Sequence, residues 1–361
     1  HVLLRARAIE TGCFVFAPAQ CGTHVAEFLL PHTASWLFRG GFYSVDMFFA
    51  LSGFLITAIL ISNIGRRGRV GYGRFALRRL QRLYPAIVLF CACHLVYAYL
   101  AGDAIWNPKG AAIQGELANL GWIASYGVNL QLSLGIQPRL DLVHLWTLGV
   151  EMQFYLIWPV VFFGLTKVCR STRTLVGAIA VLVAASGLIR YVEWRVFTEH
   201  PFWPHLIYER TEARADSILC GAIVAVLWSR DLLNPRLLRV AGPIAAFALA
   251  LGIAVIELDS PFMYQGGLTL GGIAAACMVA DVLRGDSLLG TFFGWAPFRI
   301  VGRVSYSLYV WHLPVIGWVN RYHHELSSWP KLALTVVVTA GVTTAAWWIA
   351  ERPVLHLPKM R

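Results

Sequence analysis

Charge is scarce in this chain, and acidic charge is scarcest: 19 Asp and Glu stand against 30 Lys and Arg, so that only 14% of 361 residues are charged. A soluble domain carries roughly 25% charged residues, which excludes an ordinary water-soluble globule. Cysteine pairing is also absent. The seven cysteines (Cys13, Cys21, Cys91, Cys93, Cys169, Cys220, Cys277) are odd in number, have no CxxC spacing and fall mostly inside apolar runs. Neither a disulfide framework nor a zinc site is indicated, and no metal ligand set is expected. No glycine-rich phosphate loop and no internal repeat is visible. What fills the chain instead is apolar surface: 58% hydrophobic residues, 14 tryptophans and a mean hydropathy of +0.62. The basic excess sits in short loops beside apolar runs, the pattern of membrane topology rather than of nucleic-acid binding. The expected partner is a lipid bilayer.

A crossing helix needs roughly 20 apolar residues. Runs of that kind cover 42–64, 84–102, 144–166, 174–193, 212–229, 240–257, 264–283, 304–320 and 331–350, with a weaker one at 13–37 that is interrupted by Pro18, Gln20, His24, Glu27 and Pro31. The expected fold is an all-α transmembrane bundle of about ten spans. Arg66, Arg67, Arg69, Arg74, Arg78, Arg79 and Arg82 crowd the segment 65–83, which is predicted to be cytoplasmic. Every second loop after it is basic too: Lys167, Arg170 and Arg173, then Arg230, Arg236 and Arg239, then Arg284, Arg299 and Arg303, then Arg352, Lys359 and Arg361. Both termini are therefore expected in the cytoplasm. Segment 118–136 must not cross, because a crossing there would put the 167–173 cluster outside.

Ionisable side chains inside apolar spans are costly and point to function by default. His144 and Glu151, a heptad apart, are expected on one helical face as an imidazole–carboxylate pair. Asp46, Arg214, Asp216 and His312 also fall within spans, with Ser305, Tyr306 and Tyr309 toward the start of the His312 run. Structural readings stand beside these: Arg214 with Asp216 as an ion pair, Asp46 as a helix cap, and Glu351 with Arg352 as interfacial charges.

Five segments carry a family likeness: "FYSVDMFFALSGFLIT" at 42–57, "RFALRRLQRLYPA" at 74–86, "HLWTLGVEMQFYLIWP" at 144–159, "RVSYSLYVWHLPV" at 303–315 and "ERP" at 351–353. In that order they resemble membrane acyltransferase family 3, the O-antigen acetylase group of bacterial integral-membrane enzymes. The resemblance implies transfer of an acyl group, commonly acetyl, from cytoplasmic acyl-CoA to a hydroxyl of a glycan or a small acceptor, in the bacterial cytoplasmic membrane. It implies acyl-CoA as a donor substrate and no permanently bound cofactor. Arg79 and Arg82 match the family's Arg-x-x-Arg motif, thought to serve the acyl-CoA side with Arg78 beside them. Glu151 matches the first acid of its "SVEEQFY" segment, whereas Met152 departs at the second. His24 falls about where the family places a functional histidine of its first span.

The first span departs further. Residues 1–24 resemble a piece of a nitrilase-type carbon–nitrogen hydrolase without the Glu, Lys and Cys of its catalytic centre. That implies a fused or mis-joined start, with the acyltransferase domain expected over 25–361. The chain ends just beyond its last span, so the final transfer step is expected either in the membrane domain or in a separate extracytoplasmic transferase partner. For the chemistry, an imidazole at mid-membrane depth would serve as general base on the acceptor hydroxyl, or accept the acyl group itself. The resemblance favours His24; the local sequence favours His144, with Glu151 orienting the ring. The competing readings are a transporter or flippase of a lipid-linked substrate and an inactive homologue.

Overall fold

The computed structural model describes residues 41–68, 70–101, 113–136, 138, 141–200 and 203–355. The weak span at 13–37, the nitrilase-like segment 1–24 and His24 lie outside them. Among the described residues the chain is helical throughout, without a strand. Nine helices among the described residues have 16 residues or more, and they coincide with the nine clear apolar runs.

In chain order the elements are α1 (Tyr43–Arg67), α2 (Tyr72–Ala101), α3 (Ile113–Ala124), α4 (Val128–Ser133), α5 (Trp146–Val168), α6 (Thr172–Phe197), α7 (Trp203–Tyr208), α8 (Thr211–Trp228), α9 (Pro235–Val255), α10 (Leu268–Leu283), α11 (Leu288–Phe293), α12 (Ala296–Arg303), α13 (Ser305–Tyr322), α14 (Ser328–Ala346) and α15 (Arg352–Leu355). A 3₁₀ turn at Val143–Leu145 leads into α5, a π turn at Met263–Gly267 leads into α10, and a second π turn at Trp347–Glu351 joins α14 to α15. Among the described residues seven segments are long and apolar enough to cross a membrane, those built on α1, α2, α5, α6, α9, α10 and α14. α8 and α13 have 18 residues each. They occupy the other two expected spans and carry more polar groups. α3 and α4, of 12 and 6 residues, are too short to span a bilayer, in keeping with the expectation that 118–136 does not cross.

Local chemistry sets the helix ends. Gly68 adopts a left-handed conformation (φ 64°) and its N–H closes α1 onto the Ile64 carbonyl at 2.8 Å. Ser171 and Thr174 cap the first turn of α6 reciprocally, and Asn234 caps α9 just ahead of Pro235. One boundary differs from the sequence reading. The arginine-rich segment expected as a loop is helical from Tyr72, so Arg74, Arg78, Arg79 and Arg82 lie on the first turns of α2. Two left-handed glycines, Gly68 and Gly71 (φ 65°), make the turn, after which Ala, Leu, Gln and Arg are all good helix formers.

The tightest seam in the bundle joins α1 to α8. A Cβ on Gly53 would lie 1.8 Å from the Ile218 carbonyl oxygen, and one on Gly221 would lie 1.8 Å from that of Ala50. Only glycine permits backbones to approach so closely, the small-residue device of membrane helix packing. The seam holds two charge-bearing helix faces in register at the centre of the protein.

Candidate functional site

Three polar clusters lie inside the bundle. The first forms around Glu151, which is 5% exposed. Its Oε1 accepts a hydrogen bond from Ser52 Oγ of α1 at 2.7 Å and another from Tyr155 OH, one turn further along α5. Ser52 and Tyr155 also lie 2.7 Å apart. The Arg79 guanidinium sits 5.4 Å from the centre of the Tyr155 ring and 5.6 Å from that of Phe75, while Arg82, about one turn on, is exposed. The helical start of α2 thus carries Arg79 toward the carboxylate instead of leaving it in a surface loop. Arg78 points elsewhere: it is exposed and its Nε donates to the Arg74 carbonyl of its own helix at 3.2 Å.

The second cluster is built on His144 and His312, each 2% exposed, with ring centres 4.9 Å apart. His144 Nε2 lies 3.3 Å from the Val310 carbonyl and His312 Nδ1 lies 2.7 Å from that of Tyr309. A ring nitrogen facing a carbonyl must carry the proton, which leaves the other nitrogen of each neutral ring bare. Those bare atoms, His144 Nδ1 and His312 Nε2, are buried and have no hydrogen-bond partner among the described residues. The α13 backbone thus holds two neighbouring imidazoles, each with one bare nitrogen. Tyr309 locks the arrangement: its hydroxyl donates to the His144 carbonyl and pairs with Thr147 Oγ1 at 2.5 Å.

The expected pairing of His144 with Glu151 does not form. α5 begins only at Trp146, and His144 belongs to the preceding 3₁₀ turn. The heptad relation that would put both groups on one face does not apply across that change of pitch. Glu151 turns to α1, and His144 turns to α13.

The third cluster corrects a second pairing. Arg214 bridges to Asp46 (Nη2–Oδ1 2.9 Å), and Asp216 bridges to Arg190 of α6 (Oδ2–Nη2 2.9 Å). Two residues apart on a helix, Arg214 and Asp216 face different sides and cannot pair. Ser217 Oγ donates to Asp46 and Thr269 Oγ1 donates to Asp216 at 2.6 Å. All four charged side chains are fully buried. Asp46, in the first turn of α1, acts as an inter-helix partner more than as a cap.

The remaining candidates divide. Tyr306 joins the site's frame, donating to the Leu83 carbonyl of α2 at 3.1 Å and lying 3.3 Å from Tyr126 OH. Ser305 bonds only to the nearby Gly302 carbonyl at 2.9 Å. Its neighbour Ser307 does the longer-range work: its N–H donates to Glu351 at 3.1 Å and its hydroxyl donates there too. That carboxylate satisfies a free N–H in the first turn of α13 from the π turn before α15. Ser52, Tyr155, Thr147, Ser307 and Arg190 were not singled out from sequence, whereas Tyr309 was noted with Ser305 and Tyr306 in the His312 span. Arg190, which follows a 16-residue uncharged run of α6, carried the plainest signal; Tyr155, four residues after Glu151, carried a weaker one. No group of three or more His, Cys, Asp or Glu among the described residues is placed to hold a metal ion.

All five motif segments are thus bonded into one frame: 42–57, 74–86 and 144–159 meet at Glu151, 303–315 meets 74–86 and 144–159 through its tyrosines, and 351–353 meets 303–315 through Ser307. A family described as "Acyltransferase domain" matches residues 21–351. The peptidoglycan O-acetyltransferase OatA of Listeria monocytogenes is 31% identical over 291 residues, covering 78% of this chain and 46% of that protein. The putative peptidoglycan O-acetyltransferase YrhL of Bacillus subtilis is 30% identical over 330 residues, covering 88% and 51%. The O-acetyltransferase OatA of Staphylococcus aureus is 31% identical over 333 residues, covering 89% and 53%. The chain spans about half the length of these curated relatives. No solved structure matches it. With its apolar helices and its match over nearly the whole length, the chain is a multi-pass membrane protein and belongs to membrane acyltransferase family 3.

Proposed function

We propose that this protein is an integral-membrane O-acyltransferase of the bacterial cytoplasmic membrane, moving an acetyl group from cytoplasmic acyl-CoA to a hydroxyl of a cell-surface glycan. The observation that carries the reading is the meeting of Arg79, Ser52, Tyr155 and Glu151 inside the bundle, with Arg82 exposed about one turn further along α2. Support for the acceptor class comes from relatives named as peptidoglycan O-acetyltransferases.

The two arginines offer planar, permanently charged donors suited to the phosphates of a CoA head group. The thin pantetheine arm then carries the thioester inward. At the imidazole pair an acceptor hydroxyl gives its proton to a bare ring nitrogen, and its oxygen attacks the thioester carbonyl. The C–S bond breaks, and the CoA sulfur leaves as a thiol with the proton returned from the ring. His144 Nδ1 is a nitrogen with the required lone pair. His24, outside the described residues, is the alternative base.

Two tests separate the roles. Replacing Arg79 and Arg82 together by alanine should raise the KM for acetyl-CoA about tenfold or more, the scale of losing charge-assisted hydrogen bonds, with the acceptor KM unchanged. An unaltered dependence on acetyl-CoA concentration would refute the donor role. Replacing His24 and His144 singly by alanine should lower turnover about 10²–10⁴-fold at whichever residue is the base. Full activity in both variants, measured with labelled acetyl-CoA on membrane-inserted protein, removes the imidazole mechanism.

A further inference from the structure

Proline has no N–H, so inside a helix it leaves the carbonyl four residues back without its usual donor. α13 carries Pro314 in its interior, and the carbonyl it leaves open is that of Val310. Val310 is fully buried. Inside an apolar bundle no water stands ready, so a freed backbone oxygen takes its donor from a neighbouring segment.

The donor is His144. Its Nε2 lies 3.3 Å from the Val310 oxygen and must carry the ring proton to make that bond, which leaves Nδ1 bare. In an uninterrupted helix the same oxygen would be aimed along the axis at the N–H of residue 314. The bond to His144 is already at the long end of the useful range, so a competing donor four residues on would readily break it. Tyr309, the residue before Val310, fixes the other end of the histidine, its hydroxyl donating to the His144 main-chain carbonyl. α13 thus grips His144 by backbone and by ring, and the grip on the ring needs the gap that Pro314 makes.

We infer that Pro314 is a positioning residue: by withholding a donor from the Val310 carbonyl, it sets the tautomer and the orientation of the His144 ring. What the bare nitrogen then does rests on the acyl-transfer reading above. The proline ring lines a cavity of about 330 Å³ between α2, α13 and α14. Alanine there removes little close packing and adds one rung to the hydrogen-bond ladder of α13. The helix gains and the histidine loses, the reverse of what a packing role would give.

The test compares three forms of the full chain in lipid nanodiscs: wild type, Pro314→Ala, and Pro314→lactic acid placed by nonsense suppression. Lactic acid has the side chain of alanine, but its ester link, like proline, offers no N–H. Nitrogen NMR of isotope-labelled histidine reads the tautomer, the His144 signals being identified by their loss in His144→Gln. In the wild type and the lactic acid form, Nε2 should carry the proton; in Pro314→Ala a population protonated at Nδ1 should appear. With labelled acetyl-CoA and a soluble β-1,4-linked N-acetylglucosamine tetramer, Pro314→Ala should lower kcat about tenfold, the scale of one hydrogen bond. The KM for acetyl-CoA should not change, and the thermal midpoint should stay at or above the wild-type value. The lactic acid form should recover most of the lost kcat. Unchanged His144 signals in Pro314→Ala, or a lactic acid form altered as much as Pro314→Ala, would overturn the positioning role. A tautomer shift with kcat untouched would leave Pro314 holding the ring and would instead remove His144 as the base.

Discussion

Arg214→Ala should be the most destabilising single change among the described polar residues, costing about 3–5 kcal/mol, the usual penalty for stranding one member of a buried ion pair. The guanidinium is fully buried, bonds Asp46 at 2.9 Å and lies between the rings of Tyr208 and Phe49, 4.8 and 5.7 Å from their centres. Its removal leaves the Asp46 carboxylate in the protein interior with Ser217 as its remaining side-chain donor, at the seam where Gly53 and Gly221 bring α1 against α8. The double variant Asp46→Asn with Arg214→Met should lose much less than Arg214→Ala alone, because neither member then stays charged and unpaired. Thermal unfolding of detergent-solubilised protein, with the monodisperse fraction as a second readout, measures both. A wild-type midpoint for Arg214→Ala would mean that the pair does not hold α1 to α8.

The same cluster shows how far sequence reading reaches in a membrane protein. Long apolar runs bounded by basic loops were enough to place the nine long helices, since a single such run satisfies its backbone within itself in lipid only as a helix. Charged residues inside those runs were legible as special, because burying a charge is costly wherever it happens. Their partners were not. Arg214 and Asp216 looked like neighbours in sequence, yet helical geometry sends them to α1 and α6. His144 and Glu151 looked like one face, yet the helix starts between them. Partner choice depends on inter-helix register, which the spacing along one helix does not encode. Ser52 is the clearest case: an unremarkable serine in an apolar segment becomes a ligand of Glu151 only once α1 is laid against α5.

Glu151 should show the largest effect on activity. The carboxylate collects Ser52 and Tyr155 at a 5% exposed position, with Arg79 over the Tyr155 ring, so that three motif segments depend on one side chain. Glu151→Ala removes the acceptor of both hydroxyl donors and a negative charge near Arg79, which lies over the Tyr155 ring. The expected loss in kcat/KM for acetyl-CoA is about 10²–10³-fold, the scale reached when an aligning electrostatic group is lost from a low-dielectric site. Glu151→Gln separates charge from shape. It keeps an oxygen for Ser52 and Tyr155, so the thermal midpoint should stay near wild type. Arg79 loses a nearby negative charge, so the acetyl-CoA KM should change more than the acceptor KM. Ser52→Ala should fall between these two, because Tyr155 still donates to the same oxygen. Should Glu151→Gln keep full activity at limiting acetyl-CoA, the carboxylate would be a packing element of the α1–α5 contact, and the arginines would have to engage the donor without its help.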